Sequence, residues 1–178
     1  MPEKRGGREA NLAKQTLRGR FESTIDRQVQ RHIRAKVHGI IPLHFFFAAS
    51  AECKDMYVAG SFYGCITLCQ SVAEGLSKFL AEKNLVHVKK GFTCRISRLR
   101  SARVISGTAV DAFNTVHGED RNDFHHLNKE IERDYRKLEE RALECLDALF
   151  TVESEVFPYD TPDGRVQPKK GDVLAEQR

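Results

Sequence analysis

An all-α fold, an up-and-down bundle of four to five main helices, is predicted by three observations. Apolar residues recur at three- and four-residue spacing over several long windows. The breaks between those windows fall at glycine, proline or asparagine. The one short β-like run has no evident partner strand. At 178 residues the chain is read as a single domain able to bury a substantial core. Three regions are expected: a basic flexible leader at 1–20, a helical domain at 21–157, and a polar C-terminal tail at 158–178.

The elements follow in order. Ile25, Val29, Ile33 and Val37 mark a first helix over residues 22–38, ended by Gly39 and Pro42. A second is expected from Ala48 to about Ala59, where Gly60 makes a break. The third and clearest spans 62–83. Phe62, Cys65, Ile66, Cys69, Val72, Ala73, Leu76, Phe79 and Leu80 line one face, and Asn84 supplies the stop. Residues 85–91 read as a connection. A short helix over 92–100 and another over 104–117 follow, the latter closed by Gly118. The segment at 120–127 reads as helical, with Asp120 as its cap and Asp123 in its first turn. The last helix is expected from Lys129 to Val156. Its inner stripe includes Ile131, Tyr135, Leu138, Cys145 and Leu149, and its outer face alternates charges such as Lys137, Glu140, Arg141 and Glu144. The tail, with Pro158, Pro162-Asp163-Gly164 and Pro168, is a turn or small hairpin at most.

Composition excludes several classes. No apolar run approaches the roughly 20 residues that span a bilayer, so no membrane association is expected. The polar, basic start lacks the apolar segment of a secretory signal. Five cysteines, an odd number, sit mostly at apolar positions of helical patterns. That favours reduced thiols and a cytoplasmic location over a disulfide framework. No Cys/His spacing points to a metal, and neither metal nor cofactor is expected. Net charge is only +4, but residues 89–103 carry six Lys/Arg and no acid, whereas 104–178 carry ten Lys/Arg against seventeen Asp/Glu. Such polarity can present a basic surface to a polyanion. Lys89, Lys90, Arg95, Arg98, Arg100 and Arg103 are therefore the candidate RNA-binding residues.

The hexapeptide Arg121-Asn122-Asp123-Phe124-His125-His126 concentrates the chemistry. On a helix Asn122 and His126 share one face, and Arg121 and His125 share the next. Arg121 and His126 lie about 140° apart, within the reach of a long arginine. Phe124 points elsewhere, as a core anchor. A histidine titrating near pH 6.5 can take or give a proton, and an arginine fork can hold the charge that gathers on a phosphate. These are the tools for cutting RNA through its own 2′-hydroxyl, leaving a 2′,3′-cyclic phosphate and a 5′-hydroxyl. Arg121, Asn122 and His126 are the candidate catalytic residues, with His125 and Asp123 as auxiliaries. One copy supplies few proton-transfer groups, and a symmetric dimer would double them.

Arg121-Asn122, three further residues and His126, opening a late helix of a helical domain, resemble the HEPN superfamily motif. The likeness extends to the helix at 62–83, with Tyr57, Gly60 and Tyr63 leading into it and Glu74 in its middle, and loosely to residues 48–156. It implies a HEPN-like helical bundle, a homodimer or higher homo-oligomer, and a metal-independent endoribonuclease of a toxin–antitoxin or phage-defence system, with an antitoxin or defence protein as partner. Members silenced by nucleotidylation commonly carry a tyrosine two positions after the histidine; here Asn128 stands there.

Two other readings compete. Arg121 could pair with Glu119, Asp120 or Asp123 while Asn122 and His126 cap helices, leaving a non-catalytic interaction module that binds a protein, nucleotide or nucleic acid. A metal site from His117, Asp123, His125 and His126 fits poorly, because adjacent histidines point in different directions.

Overall fold

The computed structural model describes residues 3–35, 46–88, 91–118, 120–126, 128–129, 131–157, 159–160 and 167–168. Among them are seven helices: α1 (Glu3–Arg34), α2 (Phe46–Ala59), α3 (Phe62–Lys83), α4 (Phe92–Ser101), α5 (Gly107–His117), α6 (Arg121–His126) and α7 (Tyr135–Val156). Two short strands, β1 (Tyr159–Asp160) and β2 (Gln167–Pro168), pair antiparallel in the tail. The all-α class is thus established, and the small hairpin foreseen for the tail is present.

The chain divides into two units, Met1–Arg34 and Ala35–Arg178. In the first, α1 is a continuous helix of 32 residues that begins well inside the expected leader. Its N-terminal half has no apolar period to reveal it. It is instead rich in Ala, Leu, Lys, Arg, Glu and Gln, all strong helix formers. Of the expected apolar stripe, Val29 and Ile33 are exposed and Ile25 is half-buried. The end of that predicted helix, residues 36–38, lies outside the described residues.

The second unit is built around α3, which packs against α2, α4, α5, α6 and α7. Its bounds match the predicted ones. Cys65, Ile66, Cys69 and Leu76 are fully buried, and meet a core that includes Cys53 and Tyr57 of α2, Ile96 and Leu99 of α4, Phe113 and Val116 of α5, and Leu146, Leu149 and Val152 of α7. Burying each such side chain stabilises the fold by about 1.5–3 kcal/mol before chain entropy is subtracted. Phe46 sets its ring edge-on to Phe79, centroids 6.1 Å apart. All five cysteines are free, and only Cys94 is exposed. Neighbouring Cys53 and Cys65 together with burial hold the Cys69 thiol well above its usual range, and burial pushes Cys145 to about 12. These are inert core thiols.

Three local details depart from expectation. Helix α5 starts at Gly107, not 104, because Ser106 caps it, its hydroxyl accepting from the Ala109 N–H at 3.1 Å. The last helix starts at Tyr135, not Lys129. The Glu132 carboxylate accepts the N–H groups of Arg133 and Asp134 (2.9 and 2.8 Å), and Asp134 then caps α7 by accepting from the Arg136 N–H at 2.9 Å. Side chains that satisfy these amides compete with helix before the cap. Arg141, read as an outer-face residue, turns inward to Asp120.

No described helix is long and apolar enough to cross a membrane.

Candidate active site

Three helices converge at the hexapeptide. Its first residue opens α6, whose amides at Asp123 and Phe124 donate to the Asp120 carbonyl at 3.0 and 3.2 Å. Phe124 is buried and anchors α6, its ring tilted against Tyr63 of α3 with centroids 5.9 Å apart. Tyr63 is fixed in turn, its hydroxyl donating to the Glu132 carbonyl at 2.7 Å. After α6 the chain is locked by Asn128, whose amide donates to the Asp123 carboxylate at 2.9 Å. Asp123, an auxiliary candidate, therefore serves as a brace. Its neighbour Asp120, expected to cap α6 with its side chain, gives its carboxylate to Arg141.

Glu119 lies outside the described residues, and among these Arg121 pairs with neither Asp120 nor Asp123. Its Nη2 donates to Glu74 of α3 at 3.0 Å, across 47 positions. The other Glu74 oxygen meets Lys78 Nζ at 2.9 Å, one turn further along α3. One carboxylate thus joins two cations, and Lys78 first, with Arg121 adding to it, holds the Glu74 carboxyl below its usual range.

Two imidazoles stand in the field of Arg121. His117 closes α5 and stacks on Phe92, centroids 4.2 Å apart and planes 11° from parallel. Its pKa is lowered, by burial first and then by the Arg121 charge. His125, one turn after Arg121, is lowered by burial, by Arg121 and by His126. The lowering favours the neutral ring, the state that accepts a proton. His126 and Asn122 are exposed. Within this chain Arg121 is thus brought to Glu74, His117 and His125, while Asn122 and His126 are exposed.

Several buried polar atoms have no hydrogen-bond partner among the described residues: Arg121 Nε and His125 Nε2 on α6, and both amide atoms of Gln70 on α3. Gln70 is 2 % exposed and lies one helical turn before Glu74 on α3. Each such atom costs about 1–3 kcal/mol. Stability alone gives no reason to keep two of them, Arg121 Nε and His125 Nε2, on one short helix.

Of the basic candidates, Arg98, Arg100 and Arg103 are exposed. Arg95 is half-buried, its Nη1 donating to Ser77 Oγ of α3 at 2.9 Å. Lys89 and Lys90 lie outside the described residues. Among the described residues no group of three or more His, Cys, Asp or Glu side chains is placed to hold a metal ion.

In the sequence Glu74 enters only as part of the family likeness, without a role, and Lys78 not at all. Their four-residue spacing on α3 was visible, but it resembles any surface ion pair; only the approach of α6 singles it out. No family model, curated protein or solved structure matches this chain.

Proposed function

We propose that this chain is a metal-independent endoribonuclease of the HEPN type, acting in the cytoplasm as a homodimer within a toxin–antitoxin or defence system. RNA carries its own nucleophile, so the protein needs only to move protons and hold charge. An imidazole takes the 2′-hydroxyl proton, the oxygen attacks phosphorus, and a second imidazole protonates the departing 5′-oxygen. Arg121 stabilises the charge on the non-bridging oxygens. His126, exposed at the end of α6, is the proton-transfer group that meets substrate, with His125 as its auxiliary. Asn122, also outward, orients the phosphate. The partner protomer supplies the second set. DNA, lacking the 2′-hydroxyl, survives.

The observation that carries this reading is the state of Arg121. Glu74 holds one end of the guanidinium at 3.0 Å, while its buried Nε has no partner among the described residues. A fork oriented by one carboxylate and left partly unsatisfied suits binding of an anion. The neutral imidazoles beside it suit proton transfer.

The test is incubation of wild type, Arg121→Ala and His126→Ala with total RNA in the presence of EDTA. Wild type is expected to yield fragments ending in 2′,3′-cyclic phosphate, and both variants none. Intact RNA after exposure to dimeric wild type would refute the proposal.

A second reading, a non-catalytic helical interaction module, draws on the same ion pair. Glu74 neutralises Arg121 and fastens α6 to α3, which a purely structural arginine would also do. That reading expects no fragments from wild type, and partner binding that survives His126→Ala.

A further inference from the structure

On α3, one turn beyond Glu74, the chain builds a second cationic feature. A cavity of about 450 Å³ lies between the C-terminal end of α3, the connection that follows it, and α4. Among the described residues Lys78, His87 and Arg95 line it, with Glu82 as an acid and Leu85, Val86 and Val88 as its apolar wall.

Two of the cations are held in place rather than loose in solvent. Lys78 is tied to Glu74 at 2.9 Å. Arg95 is tied by its Nη1 to Ser77, a buried residue whose hydroxyl donates to the Glu74 carbonyl at 2.8 Å. The cavity and the Arg121 site therefore share the Glu74 turn of α3. Cations positioned around a hollow bind an anion at less entropic cost than mobile surface lysines do.

The lip of the cavity is also unusual. Helix α3 ends in a Schellman turn: the Val86 N–H donates to the Ala81 carbonyl at 2.8 Å and the Leu85 N–H to Glu82 at 3.2 Å. The left-handed position is filled not by glycine but by Leu85, at φ 52°. Leu85 is 92 % exposed, so the fold recovers nothing from its side chain. An apolar residue kept in a strained backbone at the rim of a cationic hollow fits contact with a ligand better than it fits packing.

We propose that this cavity binds an RNA phosphate flanking the scissile linkage, with Arg95, Lys78 and His87 facing the phosphate oxygens and Leu85 against the sugar or base. The proposal rests on the ribonuclease reading for its choice of ligand. It adds a binding site to the strand path beyond Arg121.

The test uses RNA methylated at every 2′-oxygen, which binds but cannot be cut. Affinity is measured by fluorescence anisotropy over a range of salt concentrations for wild type, Arg95→Gln and Arg95→Lys. Each phosphate contact contributes about 0.7 to the slope of log affinity against log salt for a single strand. Arg95→Gln is expected to weaken binding several-fold and to flatten the slope by about 0.7, whereas Arg95→Lys retains the slope. Because Arg95 also bonds Ser77, a second pair of variants avoids the fold. Leu85→Glu should weaken RNA binding and Leu85→Lys should strengthen it, since this side chain is solvent-exposed. A slope unchanged in Arg95→Gln, or affinity indifferent to the sign of the charge at position 85, overturns the proposal. The ribonuclease reading fails separately: if wild type never cuts natural RNA yet these slopes change as stated, the phosphate site stands without the nuclease.

Discussion

The carboxylate of Asp120 accepts two hydrogen bonds from Arg141, Nε to Oδ2 at 2.9 Å and Nη2 to Oδ1 at 3.1 Å. This fork fastens the turn that opens α6 to the middle of α7. Its guanidinium is mostly buried, at 19 % side-chain exposure. Lysine carries the same charge but cannot make the paired, planar contact. Arg141→Lys is therefore expected to destabilise the protein by about 1–3 kcal/mol, read as a lower urea midpoint. Because the turn precedes Arg121, under the ribonuclease reading RNA cleavage should fall more than stability does where the variant remains folded. A variant as stable and as active as wild type would show that the fork positions nothing.

Gly118 makes that fork possible. Its φ of 56° with ψ of 163° is a backbone conformation open essentially to glycine. A Cβ built there would lie 2.3 Å from both Arg141 Nη2 and Asp120 Oδ1. Gly118→Ala thus combines backbone strain of about 1–3 kcal/mol with displacement of the ion pair. Its urea midpoint should drop at least as far as that of Arg141→Lys. The two losses should fall short of additive in the double variant, since both act on one contact.

Glu74 links the anchor of Arg121 to the proton affinity of the histidines. Its negative charge raises the pKa of His117 and of His125, against the larger lowering by burial and by Arg121. Glu74→Gln removes the raising influence and leaves the lowering ones. Both imidazoles should then titrate at still lower pH, which an NMR titration of the ring protons would show. Upward movement would contradict the geometry. Under the ribonuclease reading the loosened guanidinium should also cost on the order of 100-fold in cleavage rate.

At the far end of α3, Leu85 offers a gain of stability. A side-chain-bearing residue in the left-handed region costs about 1–2 kcal/mol, and glycine there gives back part of that through its freer unfolded chain. Leu85→Gly should raise stability by about 0.5–1 kcal/mol, seen as a higher midpoint with an unchanged denaturant slope. Loss of stability would mean that the leucine packs in a way its exposure denies.

How much of this was legible from sequence depends on range. Helix α3 was read to the residue because its apolar period and the Asn84 stop are local signals. The Phe124 anchor followed from the same logic. The start of α7 was missed because it depends on Glu132 and Asp134 competing for a few amides. Helix α1 was missed in its first half because helix propensity without an amphipathic face leaves no period. The Glu74 partner of Arg121 is beyond reach of a local reading: Asp120 and Asp123 stand within two positions of it in sequence, and the described partner is 47 away. A local pattern cannot rank a contact made by tertiary packing. The helical spacing already sets His125 on the face of Arg121, whereas His117, brought in from α5, is not legible from the hexapeptide.

A buried carboxyl distant in sequence from the hexapeptide sets the last prediction. Glu153 of α7 is 3 % exposed and accepts a hydrogen bond from the Ser50 hydroxyl of α2. Burial raises its pKa from 4.5 to about 7, with the Ser50 bond opposing. The sign follows from proton counting. Between 4.5 and 7 the unfolded chain has released this proton and the folded one retains it, so stability falls as pH rises across that window and stays lower above it. The shift corresponds to a loss of roughly 3 kcal/mol at most. Glu153→Gln keeps a polar partner for Ser50 and removes the titration. It should stabilise the protein at pH 8 by up to about 3 kcal/mol, and much less near pH 4.5. His117 and His125 act in the opposite direction: their folded pKa values are lowered, so their contribution is present above about pH 6.5 and lost as pH falls through the folded values. With Glu153 removed, only that histidine limb remains of the two, and the stability of the variant should rise with pH through the region where wild type is pulled both ways. Urea unfolding of both proteins from pH 4.5 to 8 measures this. A gain that is the same at every pH would show that Glu153 is paired as a carboxylate in the folded protein, not held protonated.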